Sequence, residues 1–184
     1  MWWPDTQRCA RFLAVDALAG LTAGCFQPLY GERASVGGEG IGSKLSGVDV
    51  AILDVPNGTR LARVGFEIRD KLVYGLTGGA GQSAPTHRLV VRLSSRQLQV
   101  VVDVHTARPD IQNYGIDAAY NLVDLATGKT VVQGHTFSRV SYNIPGQQQR
   151  FAGTRGQRDA ENRAAKVIAD NIQSRLASYF VAGT

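Results

Sequence analysis

The stretch Tyr114-Gly115-Ile116-Asp117-Ala118-Ala119-Tyr120-Asn121-Leu122 decides the fold, together with the Asp124-Leu125-Ala126-Thr127-Gly128-Lys129 that follows Val123. Tyr114, Ile116, Ala118, Tyr120 and Leu122 recur at every second position, with Asp117, Ala119 and Asn121 between them. Successive side chains on a strand point to opposite faces, so this is a strand with one apolar and one polar side. Asp124 to Lys129 then reads as a tight hairpin, in which Gly128 can take positive φ without steric cost. The chain returns as a strand over 130–143, with Val132, Val140 and Tyr142 on one face. A hairpin with an apolar face must bury it against a second layer.

The C-terminal part supplies that layer. From Arg158 to Phe180, the residues Ala160, Ala164, Ile168, Ile172, Leu176 and Phe180 recur at steps of four, backed by Val167 and Tyr179. Asp159, Glu161, Arg163, Lys166, Asp170 and Arg175 lie off that stripe. This is the spacing of an amphipathic helix. Residues 145–156, polar and glycine-containing, read as loop.

Working toward the N-terminus, His87 to Leu93 alternates again, with Leu89, Val91 and Leu93 one way and Arg88 and Arg92 the other. Ser94-Ser95 is expected to break or bulge this strand; Leu98 to Val104 is either a further strand or its continuation. Residues 106–113, with Pro109, read as a connection. Val48 to Val55 is a short β-branched strand ended by Pro56-Asn57-Gly58. Thr59 can cap a helix carrying Leu61, Val64, Ile68 and Leu72 at helical spacing and ending near Tyr74-Gly75. Gly75 to Pro85 reads as loop. The expected fold is therefore α+β, a two-layer sandwich in which a small, mostly antiparallel sheet of about four strands is packed by two helices.

Ahead of this domain the chain has a different character. A short basic start with Arg8 and Arg11 leads into a mostly apolar run from Phe12 to Leu21, far below the roughly 20 residues needed to span a bilayer. It reads as a secretory signal. The closing Leu21-Thr22-Ala23-Gly24-Cys25 resembles the lipobox of bacterial lipoproteins, with small side chains admitting the backbone to narrow enzyme sites and a thiol to be alkylated. Asp16 is an unusual charge within that apolar run. The expected organisation is a signal peptide over 1–24, lipidated Cys25 with a flexible glycine-rich tether over 25–46, and a single domain over 47–184.

Composition narrows the chemistry. Formal net charge is +5, and removing Arg8, Arg11, Asp5 and Asp16 takes two charges of each sign and leaves it there. The excess is spread along the chain without a Lys/Arg block, so no nucleic-acid partner is expected, whereas an anionic partner or lipid headgroup suits it. Cys9 leaves with the signal and Cys25 is the lipidation site. No disulfide, cysteine zinc site or thiol catalyst is therefore expected. His87, His105 and His135 lack ligand spacing, and Asp103, Asp110, Asp117 and Asp124 form no marked pair. Gly37 to Lys44 misses the phosphate-loop order, since Ser43 precedes Lys44, and 75–85 lacks the required lysine. No serine stands in a nucleophile elbow. The expectation is a protein without catalytic activity, cofactor or metal.

Several separated pieces then point the same way. They are Gly24-Cys25-Phe26-Gln27-Pro28-Leu29-Tyr30-Gly31; Ala119-Tyr120-Asn121-Leu122-Val123-Asp124 leading into Thr127-Gly128-Lys129; Val140-Ser141-Tyr142-Asn143; and Arg158-Asp159-Ala160-Glu161-Asn162-Arg163-Ala164-Ala165 running on to Ile172-Gln173-Ser174-Arg175-Leu176-Ala177-Ser178-Tyr179-Phe180. In order and spacing they resemble LptE, the lipopolysaccharide-assembly lipoprotein, in its alphaproteobacterial form. The resemblance implies a small sheet packed by two helices, anchored at the inner leaflet of the outer membrane and facing the periplasm. It implies a role as plug and assembly partner of the β-barrel LptD in delivering lipopolysaccharide, without catalytic residues. From the alternation of arginines opposite the apolar face, Arg88, Arg92 and Arg96, with Lys129 or Arg139, are the candidate contacts to lipopolysaccharide or the barrel lumen. The alternative is a periplasm-facing lipoprotein that scaffolds or activates another cell-envelope complex.

Overall fold

A computed structural model describes residues 40–53, 55–103, 108–144 and 150–182. The signal peptide, Cys25, the tether as far as residue 39, His105 and the loop over 145–149 lie outside the described residues. The elements are α1 (Ile41–Ser46), β1 (Val48–Leu53), α2 (Arg60–Thr77), β2 (His87–Asp103), β3 (Arg108–Asp124), β4 (Thr130–Asn143) and α3 (Arg150–Ala182). The strands form one sheet in the order β1-β2-β3-β4. Both helical stripes bury against one face of it, which is the expected α+β arrangement.

Local chemistry explains the boundaries. Thr59 Oγ1 accepts from the Ala62 amide at 3.2 Å and so caps α2. Gly78, with φ of 62°, ends that helix in the left-handed conformation, three residues beyond the expected Gly75. At the β3–β4 hairpin, Asp124 Oδ1 accepts from the Ala126 amide at 2.8 Å and Gly128 has φ of 69°. These bonds to the ionised carboxyl, the Ala126 amide first and the Thr127 hydroxyl next, hold Asp124 below the usual aspartate range.

The alternation is realised as expected. Leu89, Val91, Ile116, Ala118 and Leu122 are fully buried, and they meet Val64, Ile68 and Leu72 of α2 and Ala164, Ile168, Ile172 and Leu176 of α3 in one core. Burial pushes the phenols of Tyr114, Tyr120 and Tyr142 above the ordinary tyrosine range.

The sheet is mostly antiparallel as expected: β1 is parallel to β2, because α2 carries the chain back across the sheet, and the other two pairings are antiparallel. Other expectations change. Residues 41–46, assigned to the tether by their glycines, form α1, whose Leu45 is fully buried. β2 runs through Ser94-Ser95 unbroken, since both serines stay in register with Asp117 and Ile116. β3 starts at Arg108 rather than Tyr114. Pro109 is accommodated because β4 reaches only to Ile111, so the proline interrupts no second ladder. α3 begins at Arg150, extending helix into the expected loop.

Two positions on α3 also differ. Glu161 is 3% exposed rather than on the polar side, because it is paired with Arg63 of α2 and accepts from Gln157 Nε2 at 3.2 Å. Arg63 Nη1 also donates to Asn162 Oδ1 at 3.2 Å, so the pair ties the two helices together. Val167, expected to back the stripe, is instead well exposed.

Candidate functional site

Among the described residues, the helices cover one face of the sheet and leave the other open. In β2 the even-numbered side chains face outward, placing Arg88, Arg92 and Arg96 along one line of exposed positions. In β4 the odd-numbered ones do so, placing His135, Phe137 and Arg139 beside them across β3. The expected arginine face therefore exists as a surface. Its members are not equivalent.

Arg88 Nε donates to Asp49 Oδ2 of β1 at 3.0 Å. Arg92 is exposed and engaged in an interaction of its own. Arg96 is exposed and stands directly across from Gly115. Arg139, on the other side of that glycine, is the most firmly placed. Its Nη2 donates to both oxygens of Asp117, at 2.9 and 3.2 Å, and its Nη1 donates to the carbonyls of Ile116 and Ser138, each at 3.1 Å. The guanidinium also lies 5.4 Å from the centre of the Phe137 ring, a cation–π distance. Asp117 thus compensates its charge, leaving Arg139 as an orienting group more than a source of positive potential. Lys129 is exposed at the hairpin, next to the row that contains Arg88. Arg88 and Arg96 are eight positions apart, about 26 Å along a strand. The five candidates divide into one group at the hairpin end and another around Gly115, with Arg92 between.

The same face carries two apolar side chains that the sequence reading did not select: Leu98 at 59% exposure and Phe137 at 60%. Parity would have found both. Leu98 shares the even phase of the β2 arginines, and Phe137 has the opposite phase to Val132, Val140 and Tyr142. The His135 ring lies 6.4 Å from that of Phe137. Arginine beside exposed aromatic and aliphatic groups is a composition typical of binding surfaces.

The remaining polar residues have structural partners. His87 Nδ1 lies 2.9 Å from Thr86 Oγ1, and its ring meets Phe180 edge-on at 5.2 Å. Asp124 belongs to the hairpin and Asp117 to Arg139. An open cleft of about 570 Å³ separates α1 from the end of α3, between Ser43, Lys44, Thr86, His87, Tyr179 and Phe180. Among the described residues no group of three His, Cys, Asp or Glu side chains is placed to hold a metal, and no helix is long and apolar enough to cross a membrane.

No family model matches the chain, and no curated protein sequence does. Solved structures do. A putative lipoprotein from Caulobacter crescentus CB15 is 23% identical with a TM-score of 0.61, over 78% of this chain and 97% of that one. Rare lipoprotein B from Shewanella oneidensis is 14% identical with a TM-score of 0.53, over 73% of this chain and 96% of that one. At these identities the likeness establishes a shared fold over about three quarters of the chain.

Proposed function

We propose that this chain is a lipid-anchored protein of the outer membrane that works in lipopolysaccharide assembly, as plug and assembly partner of an LptD-like β-barrel. One observation carries the reading. The architecture implied by the LptE resemblance, a small sheet under two long helices, is the one found here, and it is shared with proteins named as lipoproteins in two Gram-negative species. Cys25 supplies the anchor in this reading, and the protein acts by binding.

The open sheet face suits the role. A barrel lumen is polar and wet, and a plug inside it needs charged side chains interspersed with a few apolar contacts. Arg88, Arg92, Arg96, Lys129 and Arg139 with Phe137 and Leu98 offer that mixture. Lipid A phosphates would be met by arginines of the β2 row, since the guanidinium fork matches a phosphate and Arg139 is already committed to Asp117.

The test is affinity capture of the full-length protein from detergent-solubilised outer membranes. A stoichiometric large β-barrel protein is the expected companion; recovery with cell-wall enzymes instead would favour the envelope-scaffold alternative. Lipopolysaccharide contact is tested separately by the Arg92→Glu, Arg96→Glu double variant. It should bind purified lipopolysaccharide at least about tenfold more weakly, equivalent to about 1.4 kcal/mol. Binding equal to the parent would remove these arginines from the site.

A further inference from the structure

The two edges of the sheet are finished differently. On β1 two successive outward carbonyls are occupied: Val48 accepts from Gln82 Nε2 at 3.1 Å and Val50 from Arg69 Nε at 3.2 Å. These side chains cover the groups that an added strand would use. On β4, among the described residues, only the far end is treated this way, where Arg163 Nη2 donates to the Ser141 carbonyl at 3.3 Å. An antiparallel ladder alternates between residues that bond inward and residues that bond outward. The backbone groups of Gln133, His135, Phe137 and Arg139 therefore point away from β3, in phase with Ser141. All four residues are exposed, and among the described residues the side-chain hydrogen bonds to this outward backbone stop at Ser141. β4 also has neither proline nor lysine between Thr130 and Asn143, the residues that commonly blunt an edge.

Apolar side chains flank the open stretch on both sides. Phe137 stands on the face away from the helices. On the other side α3 overhangs the edge: Arg163 reaches Ser141, and Asn171 Nδ2 donates to Thr136 Oγ1 at 2.9 Å. Val167 lies between them on the same helical row and is 42% exposed. We infer that the edge of β4 between residues 133 and 139 receives an extended strand from a partner protein, whose apolar side chains meet Phe137 on the open face and Val167 beneath α3.

The overhang decides against a second copy of this chain. Neighbouring strands lie about 4.8 Å apart, and α3 lies chiefly over β4. Pairing β4 with itself about a two-fold axis would bring the two α3 helices closer than the 8–10 Å at which helices pack. An extended segment with no helix above it meets no such clash. The inference is independent of whether the partner is a barrel.

The experiment places a photo-crosslinking amino acid singly at positions 133, 135 and 137 of the full-length protein in its native membranes and sequences the adducts. The expected result is one partner segment, cross-linked at residues two apart in the order of the three probes. His135→Pro removes one outward N–H and leaves the β3 ladder intact. It should lower the yield from probes 133 and 137 at least tenfold while the melting temperature stays within a few degrees. Adducts scattered without that period, adducts to a second copy, no adduct, or yields unchanged by the proline would each overturn it. Should the proline variant fail to fold, the spacing of the adducts decides alone. A two-residue period on a protein other than a β-barrel would uphold the strand and sink the barrel reading. Barrel capture without adducts at these positions would do the reverse.

Discussion

On the face of the sheet turned toward the helices, Tyr120 stands opposite Gly134, and a Cβ added to that glycine would lie 2.4 Å from the phenol oxygen. On the face turned away, Arg139 stands opposite Gly115, and a Cβ added there would lie 2.8 Å from the arginine Cδ. Each pair lays a large side chain across a glycine in the neighbouring strand. What differs is where the side chain can go. Tyr120 is walled in by the core, whereas Arg139 has open solvent on one side and can swing out, leaving Asp117. The covered face is thus intolerant of added volume, and the open face is tolerant of volume but sensitive in the arrangement of its charges.

The comparison can be broken from the stable side first. Ile168→Ala removes a fully buried side chain between α3 and the sheet. Urea unfolding should show a loss of about 3 kcal/mol, the usual range for such a cavity. Gly134→Ala comes next, at about 2 kcal/mol, because Tyr120 must leave its place in a packed core. Gly115→Ala is the sharpest test. It should cost less than about 1 kcal/mol, since only a flexible, half-exposed side chain has to give way, yet it should shift the NMR signals of the Arg139 guanidinium and the Asp117 carboxyl. Equal costs at the two glycines would end the distinction between the faces.

The smallest effect concerns the hairpin. Asp124 has a lowered folded-state pKa, so its contribution to stability is present above the ordinary aspartate range and is lost as pH falls through the folded value. A carboxyl titration followed by NMR should place its midpoint below that of a free aspartate. Thr127→Val, which removes the hydroxyl donating to Oδ2 at 2.9 Å, should move the midpoint upward.

The covered face was legible in the sequence because burial imposes a period. Leu89, Val91 and Leu93, the series from Tyr114 to Leu122, and the α3 stripe from Ala160 each follow from one rule about which residues meet the core. The Thr59 cap and the Gly128 turn were equally readable, since each satisfies a local backbone requirement. The open face was readable in phase but not in arrangement. Nothing in the spacing of Arg139 and Asp117 signals that the guanidinium crosses Gly115 to reach a carboxylate on β3, because the pairing depends on strand register. Burial of Glu161 was hidden for a similar reason: its partner, Arg63, lies on another helix. Serines and a proline made β2 and β3 look shorter than they are, since local preference gave way to the ladder that each strand forms with its neighbour.

The length of the longest elements has a geometric consequence. α3 runs for 33 residues, about 50 Å of helix, and β2 and β3 run for 17 residues each along the same body. α3 begins near Tyr142 and Asn143, at one extremity, and ends against Lys44 and His87 at the other, where the described chain enters at Gly40. A bilayer with its headgroups is about 40–45 Å thick, so this one helix is about as long as a membrane is deep. Apart from the register shifts beside Val101, β2 and β3 pair along this length, so the distance between the two ends is spanned by the sheet and by α3 at once.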